Sequence, residues 1–348
     1  GGIKLVRVIT FFKLAVSWGG YESLFEPTRI VRLSDEEFVR MRKKLVVPFE
    51  GFGKVLQRRA IYQSDSAAYL FWDLHHSVAD GTSMVLLRDQ VYACYENPDY
   101  QIPEDDYFSY LEQAAQEQTD TSNHAFAEAR DHYAAYGDAG EDAGTHGLVP
   151  DLEGPSAAPA TIVGPREHTR TSDGGSALFL AATAIAAARL NNRETALVYT
   201  AYHGRNTQAQ RQSVGMYATS IPVHLDLVRC ATVGQIMGDV RAQLDFGMAH
   251  STYPYQWLNP APQHSTVMFN YQRDTMDLGS LAAIVSKRIN MELSQNSMVI
   301  TGLIDQRGAD YLTWYCGYNS GYYSAERMEA FHEEFDKAVA WLREGTDA

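Results

Sequence analysis

A mixed α/β (α+β) fold in two lobes is predicted by three observations. Strand-like and helix-like periodicities alternate along one 348-residue chain, 45% of its residues are hydrophobic, and a stretch without periodicity divides it near the middle. That length and apolar content can bury two cores. The dividing stretch, Gly137 to about Ala160, is rich in Gly, Ala, Asp and Pro. It places the boundary at 158/159, giving lobes of residues 1–158 and 159–348.

Ser34-Asp35-Glu36-Glu37 forms a capping-box pattern ahead of Phe38, Met41 and Leu45, which share one helix face, and Pro48 ends the helix. Ala67 to Leu74 is apolar and aromatic, as a buried strand is. The run His75-His76-Ser77-Val78-Ala79-Asp80-Gly81 closes it. Thr82 and Ser83 then serve as caps for a helix carrying Met84, Leu87, Val91 and Tyr95, so the histidine run occupies a strand-to-helix turn. Residues 105–136 read as helical and polar.

In the second half, Ala177 to Leu190 is apolar all round and predicts a helix buried on every side. Strands are expected at Ala196 to Tyr202 and Ser220 to Leu227. The capping box Thr232-Val233-Gly234-Gln235 opens a helix with Val233, Ile236, Val240 and Leu244 inward. Further strands are expected at Ser265 to Gln272 and Tyr311 to Tyr318. A closing helix from Ser324 carries Met328, Phe331, Phe335 and Leu342.

A formal charge of -14 argues against nucleic acid and anionic membranes as partners. No apolar run reaches the roughly 20 residues of a membrane span, and the start lacks the order of a signal peptide, so a cytoplasmic location is expected. Cys94, Cys230 and Cys316 have no paired spacing, which gives no disulfide framework or zinc knuckle. No nucleophile elbow or nucleotide loop occurs, so neither a metal nor a bound cofactor is expected on this chain.

The histidine run carries the chemistry. An imidazole titrates near neutrality and suits proton transfer from a nucleophile. Asp80 suits a charge-assisted bond to an arginine that fixes the loop. Gly81 lets the backbone approach reacting groups, beside the free amides of a helix N-terminus. These parts suit acyl transfer. The run alone also fits a pair of core or surface histidines beside an Asp-Gly turn.

The run HHSVADG after an aromatic strand resembles the HHxxxDG signature of nonribosomal peptide synthetase condensation domains, of the chloramphenicol acetyltransferase-like fold. Pro48 to Tyr62 (PFEGFGKVLQRRAIY) is similar to that family's PFD segment, and Leu148 to Asp151 to its leucine-proline-aspartate stretch. Gly204 to Leu227 (GRNTQAQRQSVGMYATSIPVHLDL) resembles its GR...VGxFxNTxPxRxDL pattern. His250 to Tyr255 resembles HQDYPFE, and Val267 to Gln272 the strand after it. The resemblance covers about residues 26–343.

It implies two lobes in a V with a central tunnel, His76 near its middle, and an N-terminal lobe that is shortened. It implies amide formation between a carrier-protein-bound acyl or peptidyl thioester and an amine. In that scheme His76 is base or amine-positioning group, His75 and Asp80 are structural, and Gly81 offers its amide near the thioester. The phosphopantetheine arm comes with the donor and acceptor carrier proteins, and the setting is secondary metabolism, often within a multidomain synthetase. The family's RHxxLRTxF stretch, whose arginine pairs with the motif aspartate, is matched here only by Leu5 to Phe11, with Arg7 as the candidate partner of Asp80. Residues 11–25 resemble a segment of pyridoxal-phosphate enzymes but lack their lysine context. Ala201 stands where epimerisation domains need a glutamate, the paired aspartates of heterocyclisation domains are absent, and so is the DFGWG of plant acyltransferases. An ester-forming O-acyltransferase using carrier-bound or coenzyme A thioesters, and a catalytically degenerate recruitment domain, stay open as alternatives.

Overall fold

The structure is a computed structural model that describes residues 3–10, 27–42, 44–45, 47–49, 55–138, 147–154, 160–169, 175–255, 266–273, 299–305 and 310–346. For 3–10, 137–138, 160–165, 273 and 346 it describes the backbone alone. The segment 11–25, most of the dividing stretch and Ser265 lie outside the described residues.

The strands are β1 (Ile3–Thr10), β2 (Arg29–Arg32), β3 (Gln57–Gln63), β4 (Ala68–His75), β5 (Ala160–Thr169), β6 (Thr195–Tyr202), β7 (Thr219–Asp226), β8 (Val267–Arg273), β9 (Val299–Asp305) and β10 (Tyr311–Asn319). The helices are α1 (Asp35–Arg42), α2 (Gly81–Glu96), α3 (Tyr107–Thr119), α4 (His124–Asp138), α5 (Gly175–Leu190), α6 (Gln208–Gln212), α7 (Val233–Ala249) and α8 (Ala325–Thr346). They fall into two compact units. The first holds the described residues up to 110 together with 205–217, and the second holds the others.

In the first unit the sheet order is β1-β4-β3-β2, with β1 and β4 parallel, β4 and β3 antiparallel, and β3 and β2 parallel. The capping box of α1 is present: Glu37 donates its amide to Ser34 Oγ, and Ser34 donates its amide to Glu37 Oε2. The helix buries Phe38, which stacks on Tyr69 at 4.0 Å and packs with Ala60, Tyr62 and Phe71. α2 is capped by Asp80, whose side chain accepts the Ser83 amide, rather than by Thr82 or Ser83 as expected. A carboxylate one residue before the glycine reaches the third helical amide, which leaves Ser83 inside the first turn.

The second unit carries a sheet of order β5-β10-β9-β8-β6-β7. Its core runs through α5, where Ala177 to Ala188 are all buried, as the all-round apolar pattern predicts. The alanines let α5 sit close between α8, α7 and β6. α7 opens on the expected capping box of Thr232 and Gln235. The polar helical stretch expected over 105–136 is divided into two helices, α3 and α4. Asp120 bonds the Ser122 amide and Asn123 the Ala125 amide, so two side chains compete with the helical ladder and break it. α4 buries Phe126, Ala129, Tyr133 and Tyr136 against Leu197, Tyr199, Tyr253 and Tyr255, which draws it into the second unit. The boundary placed at 158/159 therefore lies inside that unit. Strands β1, β2, β3, β5 and β9 are not among those expected from the sequence. Among the described residues no helix is long and apolar enough to cross a membrane.

Candidate active site

β4 ends at His75, whose backbone amide bonds Leu56 O at 2.9 Å. A tight turn follows, closed by the Val78 amide on His75 O at 3.0 Å. The His75 ring stays buried. Its Nδ1 accepts the Ser77 amide at 3.1 Å and lies 2.8 Å from Ser77 Oγ, while burial pushes its pKa below the usual histidine value. A neutral imidazole that accepts at Nδ1 is a structural brace for the turn. Leu74, Ala79 and Met84 seal the turn from beneath with Trp72, Val78 and Leu87.

His76 is the first residue past the strand and is only 8% exposed. Its Nδ1 lies 3.2 Å from Met216 Sδ. Four residues on, Asp80 is 2% exposed and forms a buried ion pair with Arg205, whose Nη2 stands 2.9 Å from Oδ1 and 3.1 Å from Oδ2. A partner of Asp80 is thus Arg205, 125 residues downstream, while the side chain of Arg7, the candidate from the sequence, lies outside the described residues. The Gly204-Arg205 pair of the GR pattern contains this arginine, but nothing local in it signals a partner so far away.

The pair is the centre of a dense hydrogen-bond network. Asp80 also accepts the Ser83 amide at 2.8 Å and the Tyr217 amide at 3.1 Å, and donates its own amide to Gly215 O at 3.2 Å. Arg205 donates to Gln210 O, to Ser213 O at 2.6 Å and to Ser83 Oγ at 2.8 Å, and its guanidinium lies 4.2 Å from the centre of the Tyr217 ring. Ser83 Oγ donates to Gly215 O at 2.6 Å and accepts the Gly215 amide at 2.9 Å. A buried charge is tolerated when it is paired and hydrogen-bonded in this way.

A second set of bonds holds the 213–217 loop. Asp105 accepts from Ser213 Oγ at 2.7 Å and from the Val214 amide at 3.0 Å, and Asp106 donates its amide to Ser213 Oγ at 3.0 Å. Tyr107 covers Gly215 so closely that a Cβ there would overlap the ring. Burial pushes the Tyr107 phenol up to about 12, which keeps it a neutral donor to Met216 O at 3.5 Å.

Gly81 is the first residue of α2, and its amide and that of Thr82 lack acceptors within the helix. The turn thus sets an imidazole beside a helix N-terminus, an arrangement able to move a proton and to face developing negative charge.

Several other polar side chains have structural partners. His250 Nδ1 bonds Phe246 O at 2.9 Å, the satisfied arrangement expected of a packed histidine. Arg58 ion-pairs with fully buried Asp73, bonds Val47 O at 2.6 Å and lies 4.0 Å over Phe49, whose ring meets His75 edge-on at 5.6 Å. Asn319 is buried and bonds the Gly321 amide, a structural role. Among the described residues no group of three His, Cys, Asp or Glu side chains is placed to hold a metal.

A family model described as "Condensation domain" matches residues 167–347, just over half of the chain. The chain belongs to the condensation domain family. It is 26% identical over 276 residues to a plipastatin synthase polypeptide of Bacillus subtilis (strain 168), a match covering 68% of this chain and 10% of that protein. The chain thus spans about a tenth of the length of the curated relative it matches. Among solved structures it is similar to the starter condensation domain of rhizomide synthetase in complex with C8-CoA, with a TM-score of 0.66, 16% identity, and coverage of 92% and 78% of the two chains. It is also similar to the epimerization domain from the third module of tyrocidine synthetase B, with a TM-score of 0.62, 12% identity, and coverage of 98% and 80%. These likenesses agree on the fold. The mixed α/β architecture is that of condensation domains of nonribosomal peptide synthetases, as the histidine motif implied.

Proposed function

We propose that this condensation domain joins a carrier-bound acyl or peptidyl thioester to an amine, with His76 as the general base. The observation that carries this reading is the buried Asp80–Arg205 pair, which locks the turn presenting His76 beside the N-terminus of α2. The acceptor nitrogen attacks the thioester carbonyl and a C–N bond forms. His76 takes the amine proton, the C–S bond breaks, and the proton passes to the departing thiolate. The Gly81 amide faces the oxyanion of the tetrahedral intermediate.

On this reading the thioester arrives on the phosphopantetheine arm of a donor carrier protein, and the acceptor on that of a second one. A chain aligning with a tenth of a synthase polypeptide fits a place within a multidomain synthetase. Three free cysteines, two of them buried, suit a cytoplasmic setting.

The deciding assay loads donor and acceptor on carrier proteins and follows amide product with the parent chain and with His76→Ala. The expected loss is about 10²–10⁴-fold in kcat for removal of a general base. Equal product from parent and variant refutes the role of His76. Ester from a hydroxyl acceptor, without amide, replaces this reading with O-acyl transfer. Carrier binding without any product replaces it with recruitment.

A further inference from the structure

Met216 does not belong to the histidine motif, yet its Sδ lies 3.2 Å from His76 Nδ1. A thioether sulfur bears no proton and offers only lone pairs. Contact with it is attractive only when Nδ1 carries the hydrogen, and a neutral imidazole has one N–H, so its lone pair then stands on Nε2.

The backbone that carries this side chain is held in place independently of the histidine. The amide of Gly215 bonds Ser83 Oγ, the amide of Tyr217 bonds Asp80 Oδ2, and Met216 O accepts from the Tyr107 phenol. Both neighbours of Met216 are therefore tied to the buried ion pair, and its own carbonyl is tied to α3.

We infer that Met216 is a positioning residue that fixes His76 as the Nδ1–H tautomer and so makes Nε2 the proton acceptor. The inference rests on the proposed role of His76. It also gives Asp80 a route to the histidine through the chain: the carboxylate holds the 215–217 backbone, and that backbone holds the sulfur. A neutral thioether in this place orients the ring without raising its basicity as a carboxylate partner does.

Long-range proton–nitrogen spectra of protein labelled at histidine nitrogen read the tautomer directly, with the His76 signals assigned by their loss in His76→Ala. The parent is expected to show Nδ1–H, and Met216→Leu, which keeps the volume and removes the acceptor, to shift His76 toward Nε2–H. In the carrier-protein assay Met216→Leu is expected to lower kcat about 10- to 100-fold at unchanged KM, and Met216→Gln, which restores an acceptor, to recover part of it. An Nε2–H tautomer in the parent overturns the inference, as does a Met216→Leu protein with the parent's tautomer and kcat. A parent that forms no amide overturns the proposed reaction instead, and the tautomer spectrum, which needs no turnover, still decides the role of Met216.

Discussion

The two units are held by different physics. In the second, one continuous apolar cluster runs from α5 through β6–β10 to α8, with Phe179, Leu180, Trp314, Phe331 and Phe335 all at most 1% exposed. In the first, the apolar clusters are small, and the histidine turn depends on a buried charge pair with its hydrogen bonds. An apolar core degrades gradually because each side chain contributes its own burial. A buried ionic network fails abruptly because losing one partner strands the others.

The largest expected effect tests that abruptness. Arg205→Ala takes the guanidinium from the buried Asp80 carboxylate, and is expected to cost about 3–5 kcal/mol in urea unfolding and to abolish amide formation. Arg205→Lys should not rescue it, because one ammonium cannot span the acceptors of Asp80, Ser83, Gln210 and Ser213 that the guanidinium fork reaches. A lysine variant with parent stability would show that only the charge matters.

Leu180→Ala is the matched insult to the apolar unit, with an expected cost of about 2–5 kcal/mol set by the cavity it opens. Here the His76 nitrogen signals should stay at their parent positions in the folded protein. If they move, the two halves are energetically coupled and the contrast fails.

Next in size is Gly215→Ala. The new methyl meets the Tyr107 ring, so the loop or the ring must shift, at an expected cost of about 1–3 kcal/mol. Reduced kcat with a cooperative unfolding transition would show that loop position, rather than global folding, is what the site needs.

The smallest effect concerns acid. Burial, with Arg343 and Arg166 nearby, depresses the His168 pKa to about 4, and its Nε2 lies 3.6 Å from Asp336 Oδ1. The unfolded chain then binds the proton more readily than the folded one, so this contribution is full above the unfolded pKa near 6.5 and lost as pH falls toward 4. The Tm of the parent should fall between about pH 6.5 and about 4.5, and His168→Phe should flatten that slope. An unchanged slope would assign the acid response elsewhere, for example to His132 or His224, which burial also depresses.

What could be read from the chain follows the same division. α5, α7 and the strand leading into the histidines were legible because they are encoded by local apolar periodicity and reciprocal caps. β2 has four residues, three of them exposed, and carries too little pattern to read. The break between α3 and α4 was in principle readable in Asp120-Thr121-Ser122-Asn123, whose side chains compete for backbone amides. The histidine run was legible as a motif, but its lock was not. Asp80 advertised a need for a cation; no spacing rule connects it to Arg205, and Met216 carries no sequence signal of its contact with His76.

That remoteness has a consequence for synthesis. The chain emerges from the ribosome N-terminus first, at about 5–20 residues per second, so Asp80 waits on the order of ten seconds for Arg205 to be made. During that interval β4 and α2 can form from local sequence, while the turn between them still waits for the guanidinium of Arg205. Completion of the site therefore belongs to the late phase of folding, and a nascent chain stalled before residue 205 would hold its histidines without the clamp that orders them.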